Sequence, residues 1–510
     1  MKHFKYYFGV FLIILLGAVL RFFMLSDKSL WLDEGYSLYY SEGSSFQQII
    51  TRLLGTDTGD RFQPLYYLLL YYWRQLFGST EFAVRSLSAF LGISAIIILF
   101  FTSLQLYGKK HAIWMAFFLS VSSYAVYYSQ QTRAYAMLLF LAALQFYFFS
   151  KALNTRQAKG ELISRWLFWI VTAFSLFCSV FIGIFTLSLC LSHILIYKNP
   201  KRWLQWWLPA AIFCIPAILF YLASPVATEP TKVNVTISRQ PVIQNLVFVL
   251  YGLLVGETYG PPIEQLRTGN KFQILLTYLP HLLILAGLIG IFLLFFLRRW
   301  RLKSNNDNYQ KLDIFFALLF IITLAVATLF AIVTNMNWLP RHSFYIYIPL
   351  TFLLPIVVRK IPGVTSRKSQ TTFNYAQIAL IAVLIVNIYS VGNYYFNRAY
   401  EREDYRVVAQ YLSANQGASV KSILLYGAPN LLPYYGDTKT LNGLSLDTSN
   451  LAEDVKSITN DANKVLIAIS FQDFWEFKKN FSLQKSMSSL YKLQSKVSFT
   501  NFNIYHYIKK

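Results

Sequence analysis

The chain is short of charge, and of negative charge above all. Only 14% of its 510 residues are Asp, Glu, Lys or Arg, and 46 basic residues outnumber 23 acids. A soluble globular domain carries roughly 25% charged residues. With 55% apolar and 18% aromatic residues and a mean hydropathy of +0.43, the chain is that of an integral membrane protein. Cysteine is scarce as well: Cys178, Cys190 and Cys214 all lie inside apolar runs, without metal-type spacing, and read as small core residues. No internal repeat of about 20–50 residues is present, which excludes a solenoid or propeller. Low complexity is confined to the short polar turn KSNNDN. The formal charge of +23 would suit a nucleic-acid partner if it lay on one polar domain. Instead the basic residues sit between apolar runs, so they report topology, and a nucleic-acid partner is excluded.

A spanning helix needs about 20 apolar residues to cross roughly 30 Å. About eleven runs qualify, near 7–24, 83–107, 111–129, 133–150, 164–180, 181–197, 203–224, 273–297, 312–334, 341–358 and 373–394. The first follows Lys2 and Lys5 and continues into Arg21 and Asp33 without a small-residue cleavage site, so it reads as an uncleaved span. The run from Ile163 to Tyr197 is too long for one helix and divides near Val180 to Gly183. One segment fails the length test: Pro64 to Gly78, PLYYLLLYYWRQLFG, is about 22 Å long as a helix and carries Arg74, so it reads as interfacial or re-entrant.

Charge supports this count. With the N-terminus in the cytoplasm, each cytoplasmic turn is basic: Lys109 and Lys110; Lys151, Arg156, Lys159 and Arg165; Lys198, Lys201 and Arg202; Arg298 to Lys311; and Arg359 to Lys368. Counting Pro64 to Gly78 as a span would invert everything after it. The expected protein is therefore a polytopic α-helical membrane protein. Residues 1–398 form its transmembrane domain, with outer loops at 25–82 and 225–272, and residues 399–510 form a small extracytoplasmic α/β domain. That tail shows a helix-like DYRVVAQYLSAN, strand-like KSILLYG and KVLIAISF, and a terminal FNIYHYI. The apolar stretch ending at Glu257 in the second outer loop reads as a surface-lying helix packed on the bundle rather than a lid.

Four features then face outward together: the acidic run LWLDEGYSLYY, the stretch from Arg61 to Tyr67, the turn around Arg133, and NWLPRHSFY around Arg341. Adjacent helical residues point about 100° apart, so Asp33 and Glu34 do not form a symmetric dyad. One can face a cavity while the other makes structural contacts. A single Arg at a helix end is ordinarily a snorkelling anchor. Arg21, Arg61, Arg85, Arg133 and Arg341 near one face instead suit a lipid phosphate, because guanidinium forks match phosphate oxygens. A carboxylate beside such a clamp suits glycosyl transfer from a lipid-phosphate sugar. His342 beside Arg341 reads as a structural residue.

At these residues the sequence resembles a known family. WLDEGYS, then QPLYYLLLYYWRQLFGSTEFAVRSLSA, then YYSQQTRAYAMLL, with the later DYRVVAQYL, resemble the GT-C membrane glycosyltransferases related to protein O-mannosyltransferases and lipid A aminoarabinose transferases. The resemblance implies a polyprenyl-phosphate sugar as donor, an inverting transfer, and the outer face of the plasma membrane. It implies Asp33 as general base with Glu34 in support, and Arg61, Arg85 and Arg133 as contacts to the lipid phosphate; Tyr66, Gln130 and Arg341 are further candidate contacts to lipid phosphate or sugar. No cofactor is required, and no metal is indicated. The acceptor is left open among glycan, lipid and protein. Two departures stand out: Gln63-Pro64 where the family often has two prolines, and Gln131 where it commonly has Glu. Two rival classes are a lipid or sugar transporter or flippase, and an O-antigen ligase or polymerase. The chain shows no inverted halves, and its acidic pair lies outside the spans rather than at their midplane. A ligase is expected to lack the early acidic pair.

Overall fold

The computed structural model describes residues 2–55, 59–155, 157–222, 242–262, 265–266, 270–301, 307–334, 338–358, 367–417, 419–442, 450–460, 462–472, 475–476 and 481–510. Residues 225–241 of the expected second outer loop, and Arg156, Lys303, Arg359 and Lys360 of the basic turns, lie outside the described residues. All the apolar runs are helical. The helices are α1 (Lys2–Phe22), α2 (Leu32–Tyr40), α3 (Phe46–Leu54), α4 (Pro64–Phe77), α5 (Glu81–Tyr107), α6 (Lys109–Val121), α7 (Ser123–Ser129), α8 (Tyr135–Asn154), α9 (Ala158–Cys178), α10 (Ile182–Ile196), α11 (Pro200–Leu222), α12 (Val242–Val255), α13 (Lys271–Arg301), α14 (Asp307–Val333), α15 (Phe344–Leu353) and α16 (Arg367–Phe396). Among the described residues eight helices are long and apolar enough to cross a membrane, and the bent pair α6 and α7, taken together as one span, would bring the number to nine. The runs at 181–197 and 341–358 form shorter apolar helices, Ile182–Ile196 and Phe344–Val358. The expected division near Val180 to Gly183 is present between Cys178 and Ile182.

Contacts divide the chain into two compact units, one of Met1–Phe23, Gly43–Gly260 and Leu279–Tyr395, the other of Met24–Glu42, Pro261–Tyr278 and Phe396–Lys510. The first is the helical unit. Its most informative joint is the break at Ser122, where α6 and α7 bend by 54°. A break frees carbonyls at the end of α6, and an unsatisfied carbonyl in an apolar surrounding costs several kcal/mol. Arg21, fully buried, donates to Leu119 O (3.0 Å), Ser120 O (3.3 Å) and Gly17 O (2.9 Å). Gly92 makes room for this arrangement, since a Cβ there would stand 2.2 Å from Ser129 Oγ and 3.0 Å from Arg21 Nε. Elsewhere polar side chains link neighbouring helices: Gln145 donates to Thr172 and Thr186, each at 2.8 Å, and Arg299 Nε to Asp313 Oδ2 at 2.8 Å. Helix α12 buries Val249, Leu253, Leu254 and Val255 against the bundle, as its apolar composition requires.

The second unit holds the tail. Its further elements are α17 (Tyr405–Ala414), β1 (Val420–Leu425), α18 (Leu431–Tyr435), β2 (Thr440–Asn442), α19 (Leu451–Ile458), β3 (Lys464–Ser470), α20 (Leu483–Met487), β4 (Tyr491–Phe499) and β5 (Phe502–Lys509). The sheet order is β2-β1-β3-β5-β4, with β1 parallel to β2 and β3, and β5 antiparallel to β3 and β4. Strand β3 is apolar at successive positions because both its faces are covered. Val465, Ile467 and Ile469 pack with Val455, Leu483 and Met487 in one core.

Candidate functional site

In the helical unit the site is built on a 3-10 turn, Gly59–Phe62, directly before α4. Pro64 at the start of α4 is preorganised for a helix and leaves no orphan N–H there. The turn presents Asp60 to Arg133, whose Nη2 lies 2.9 Å from Asp60 Oδ1, with both side chains 9% exposed. Arg133 Nη1 donates to the Tyr67 hydroxyl at 3.1 Å, and that hydroxyl donates to the same Asp60 oxygen. Burial pushes the Tyr67 phenol well above its ordinary value, and Asp60 adds to this while Arg133 opposes it, so it is a neutral donor. Beneath the network, the Ser88 hydroxyl donates to Arg133 O at 3.4 Å and lies 3.5 Å from the Tyr66 hydroxyl.

Arg61 differs from Arg133. Its guanidinium stands over the Phe62 ring, 4.5 Å from the centroid, and its buried Nε and Nη1 have no hydrogen-bond partner among the described residues. Gln63 Oε1 and Gln131 Oε1 are likewise buried without one. A guanidinium whose donors are buried and unmatched is an anion ligand in waiting, because leaving such donors unpaired costs free energy. Arg133, by contrast, is already charge-compensated by Asp60.

The other candidates of this unit lie on several elements. Arg341 and His342 share the 3-10 turn Pro340–His342. The His342 ring stacks on Phe181 at 5.3 Å. Arg85 is buried on α5. Gln130 serves the end of α1: its amide nitrogen donates to Phe23 O at 2.8 Å and to Leu20 O and Arg21 O, each at 3.2 Å. Glu257 accepts from the Tyr128 hydroxyl. Asp60 escaped the sequence reading and Tyr67 entered it only as the end of the Arg61 to Tyr67 stretch, although the adjacency of Asp60 to Arg61 was a usable signal.

In the second unit the acidic run forms α2. Glu34 is fully buried, and its Oε2 accepts the Trp31 N–H at 3.3 Å, closing the first turn of the helix. Asp33 is half-buried on the next position round the helix. The two adjacent acids thus occupy different environments. Among the described residues no three His, Cys, Asp or Glu side chains gather as a metal-binding group.

Comparison with known proteins bears on this arrangement. Residues 63–230 match the family model described as dolichyl-phosphate-mannose-protein mannosyltransferase. No curated protein sequence matches significantly. Among solved structures, ArnT from Cupriavidus metallidurans bound to undecaprenyl phosphate superposes with a TM-score of 0.55 at 12% identity, over 98% of this chain and 97% of that one. Its apo state gives 0.51 at 12% identity, over 98% and 97%. The archaeal oligosaccharyltransferase AglB from Archaeoglobus fulgidus, in complex with an inhibitory peptide and a dolichol-phosphate, gives 0.51 at 11% identity, over 99% of this chain and 74% of that one. The expected resemblance therefore holds: this is a multi-pass membrane protein with the GT-C glycosyltransferase fold, carrying a protein-mannosyltransferase-like segment at residues 63–230.

Proposed function

We propose that the protein transfers a sugar from a polyprenyl-phosphate carrier to an acceptor hydroxyl on the outer face of the plasma membrane, with inversion at the anomeric carbon. The observation that carries this reading is the match of residues 63–230, which hold Tyr66 and Arg133, to a family described by a polyprenyl-phosphate sugar donor. Two of the superposed structures were solved with a polyprenyl phosphate bound.

In the proposed reaction Asp33 takes the proton of the acceptor hydroxyl as its oxygen bonds to the anomeric carbon. The bond from that carbon to the phosphate oxygen breaks on the opposite face, and the polyprenyl phosphate departs. Arg61, whose Nε and Nη1 have no partner among the described residues, takes the first share of the phosphate charge, with Arg85 and Arg341 as further contacts and Arg133, compensated by Asp60, ordering the network beside it. Glu34 shapes the helix that carries Asp33 and does not itself accept the proton, because its carboxylate is buried against the Trp31 N–H.

The test is transfer of radiolabelled sugar from a panel of polyprenyl-phosphate donors in membranes containing wild type or Asp33→Asn at equal abundance. General-base loss lowers turnover by about 10²–10⁴-fold. Equal transfer by both would remove Asp33 from the mechanism.

A further inference from the structure

The acidic helix does not stand alone in its unit: the C-terminal α/β fold grips it from two elements. Ahead of α2, Arg406 in the first turn of α17 donates to Ser26 O at 2.9 Å and Asp27 O at 3.2 Å, and its backbone N–H donates to Ser29 Oγ at 3.3 Å. The Arg402 guanidinium covers the Trp31 ring at 4.5 Å. Over α2 itself, the turn leaving the carboxyl end of β1 makes the contact. Asn430 Nδ2 donates to Gly35 O at 2.7 Å, and the Tyr435 hydroxyl accepts the Leu30 N–H at 2.7 Å. Gly35 is the point of closest approach, since a Cβ there would meet Leu431 Cγ at 2.8 Å and Ala428 Cβ at 3.1 Å.

Two physical points give these contacts a purpose. In open sheets with parallel strands, the loops beyond the strands' carboxyl ends are where a ligand is ordinarily held. Here the loop after β1 holds a segment of the chain's own first half. The Tyr405 hydroxyl accepts the Ala428 N–H at 2.9 Å, so the two gripping elements are tied to each other. Tyr426, immediately before that turn, has a φ of 54°, a left-handed conformation that costs free energy and is kept only where the surroundings over-determine it. A short helix of nine residues is marginal on its own, so its position depends on what it docks against.

We propose that the C-terminal α/β unit is a clasp that fixes the position of Asp33, with Asn430 and Tyr435 as its positioning residues. This rests on the reading of Asp33 as the base. The sharp variants are Asn430→Asp, which replaces the donor to Gly35 O by a second acceptor, and Tyr435→Phe, which removes only the hydroxyl that receives the Leu30 N–H. Asn430→Gln keeps an amide donor and is the conservative control.

Two readouts on the full-length chain in lipid nanodiscs separate the possibilities. The first is amide hydrogen exchange of residues 32–40 with β3 as internal reference, which needs no substrate. The second is turnover with the polyprenyl-phosphate donor that wild type uses. In both sharp variants, protection of 32–40 falls while that of β3 is retained. Their kcat falls about 10-fold to 100-fold at unchanged donor KM, because a base misplaced by about 1 Å loses rate rather than donor affinity. Asn430→Gln recovers part of the rate. Unchanged exchange in both variants overturns the clasp. Altered exchange with wild-type kcat, alongside an inactive Asp33→Asn, overturns the positioning role. Full activity of Asp33→Asn overturns the assignment of the base and the positioning role with it, an outcome recognisable because exchange at 32–40 still rises in the clasp variants.

Discussion

Replacing Asp60 by Asn tests the helical unit's network most directly. The Arg133 to Asp60 contact is 2.9 Å. At an effective dielectric of about 20, two unit charges at that separation attract by about 6 kcal/mol. Desolvation of both groups offsets much of this, and the measurable quantity is the loss on removing one partner, about 3–5 kcal/mol for a pair as buried as this one. Asp60→Asn keeps the shape and an oxygen for the Tyr67 hydroxyl, so the loss reads the uncompensated Arg133 charge. The assay is denaturant unfolding in detergent micelles for wild type, Asp60→Asn, Arg133→Met and the double variant. The double variant is expected to be more stable than Asp60→Asn alone, because it leaves no buried unpaired charge. Binding of the polyprenyl-phosphate carrier proposed above is expected to tighten in Asp60→Asn, since Arg133 is then released from its carboxylate. Losses that add to within about 0.5 kcal/mol would show that the two residues are not coupled and refute the reasoning.

Three further outcomes follow from particular residues. Glu34→Gln keeps an oxygen for the Trp31 N–H and is expected to retain turnover, whereas Glu34→Ala loses the cap at a cost of about 1 kcal/mol, read as faster exchange at the start of α2. Gly256→Ala forces a Cβ at φ 83°, 2.4 Å from Ser123 Oγ and 3.0 Å from Ser390 Oγ, into a network that joins α7 to α16. Its expected cost is about 2–4 kcal/mol, measured as a lowered midpoint in the same unfolding assay. Burial holds the His506 imidazole below its ordinary value, while its Nε2 lies 2.9 Å from the Tyr411 hydroxyl. A depressed histidine means that the unfolded chain takes up the proton first. The stability this residue supports is therefore intact above about pH 6.5 and declines as the pH falls below it. Protection factors of β5 amides, taken relative to the intrinsic exchange rate at each pH, are expected to fall on acidification, and His506→Gln to flatten that response.

Much of the fold was legible in the sequence, because a membrane imposes length and composition on each span. The run 163–197 shows how far this went: length alone demanded a break, and Ser179 to Phe181 provides it. The break at Ser122 was not legible, since SVSSYAV reads as continuous apolar helix and the device that permits the break, Arg21, lies about 100 residues away in the chain. In the tail, β1 and β3 were apparent from their apolar runs, and β5 falls on the terminal FNIYHYI. Strand β4, KLQSKVS within mostly exposed positions, carries too few apolar residues to be seen. The site residues were legible as types and not as partners. Nothing local distinguishes Arg133, which is matched to Asp60, from Arg61, whose Nε and Nη1 are not matched.

That distinction orders the candidates by what each polar group already does. Arg21 and Gln130 donate to the carbonyls that a broken helix and a helix end leave open, and in a membrane protein those carbonyls have no water to turn to. Their donors are committed before any ligand arrives, which gives both residues a structural task. Arg133 is committed to a carboxylate and tunes its surroundings chiefly by holding Asp60 and Tyr67 in place. Arg61 retains two buried nitrogens, Nε and Nη1, with no hydrogen-bond partner among the described residues, which is what favours it as the phosphate contact in the proposed reaction. The same reasoning gives Glu34 a structural task, for its carboxylate accepts the Trp31 N–H and closes the first turn of α2.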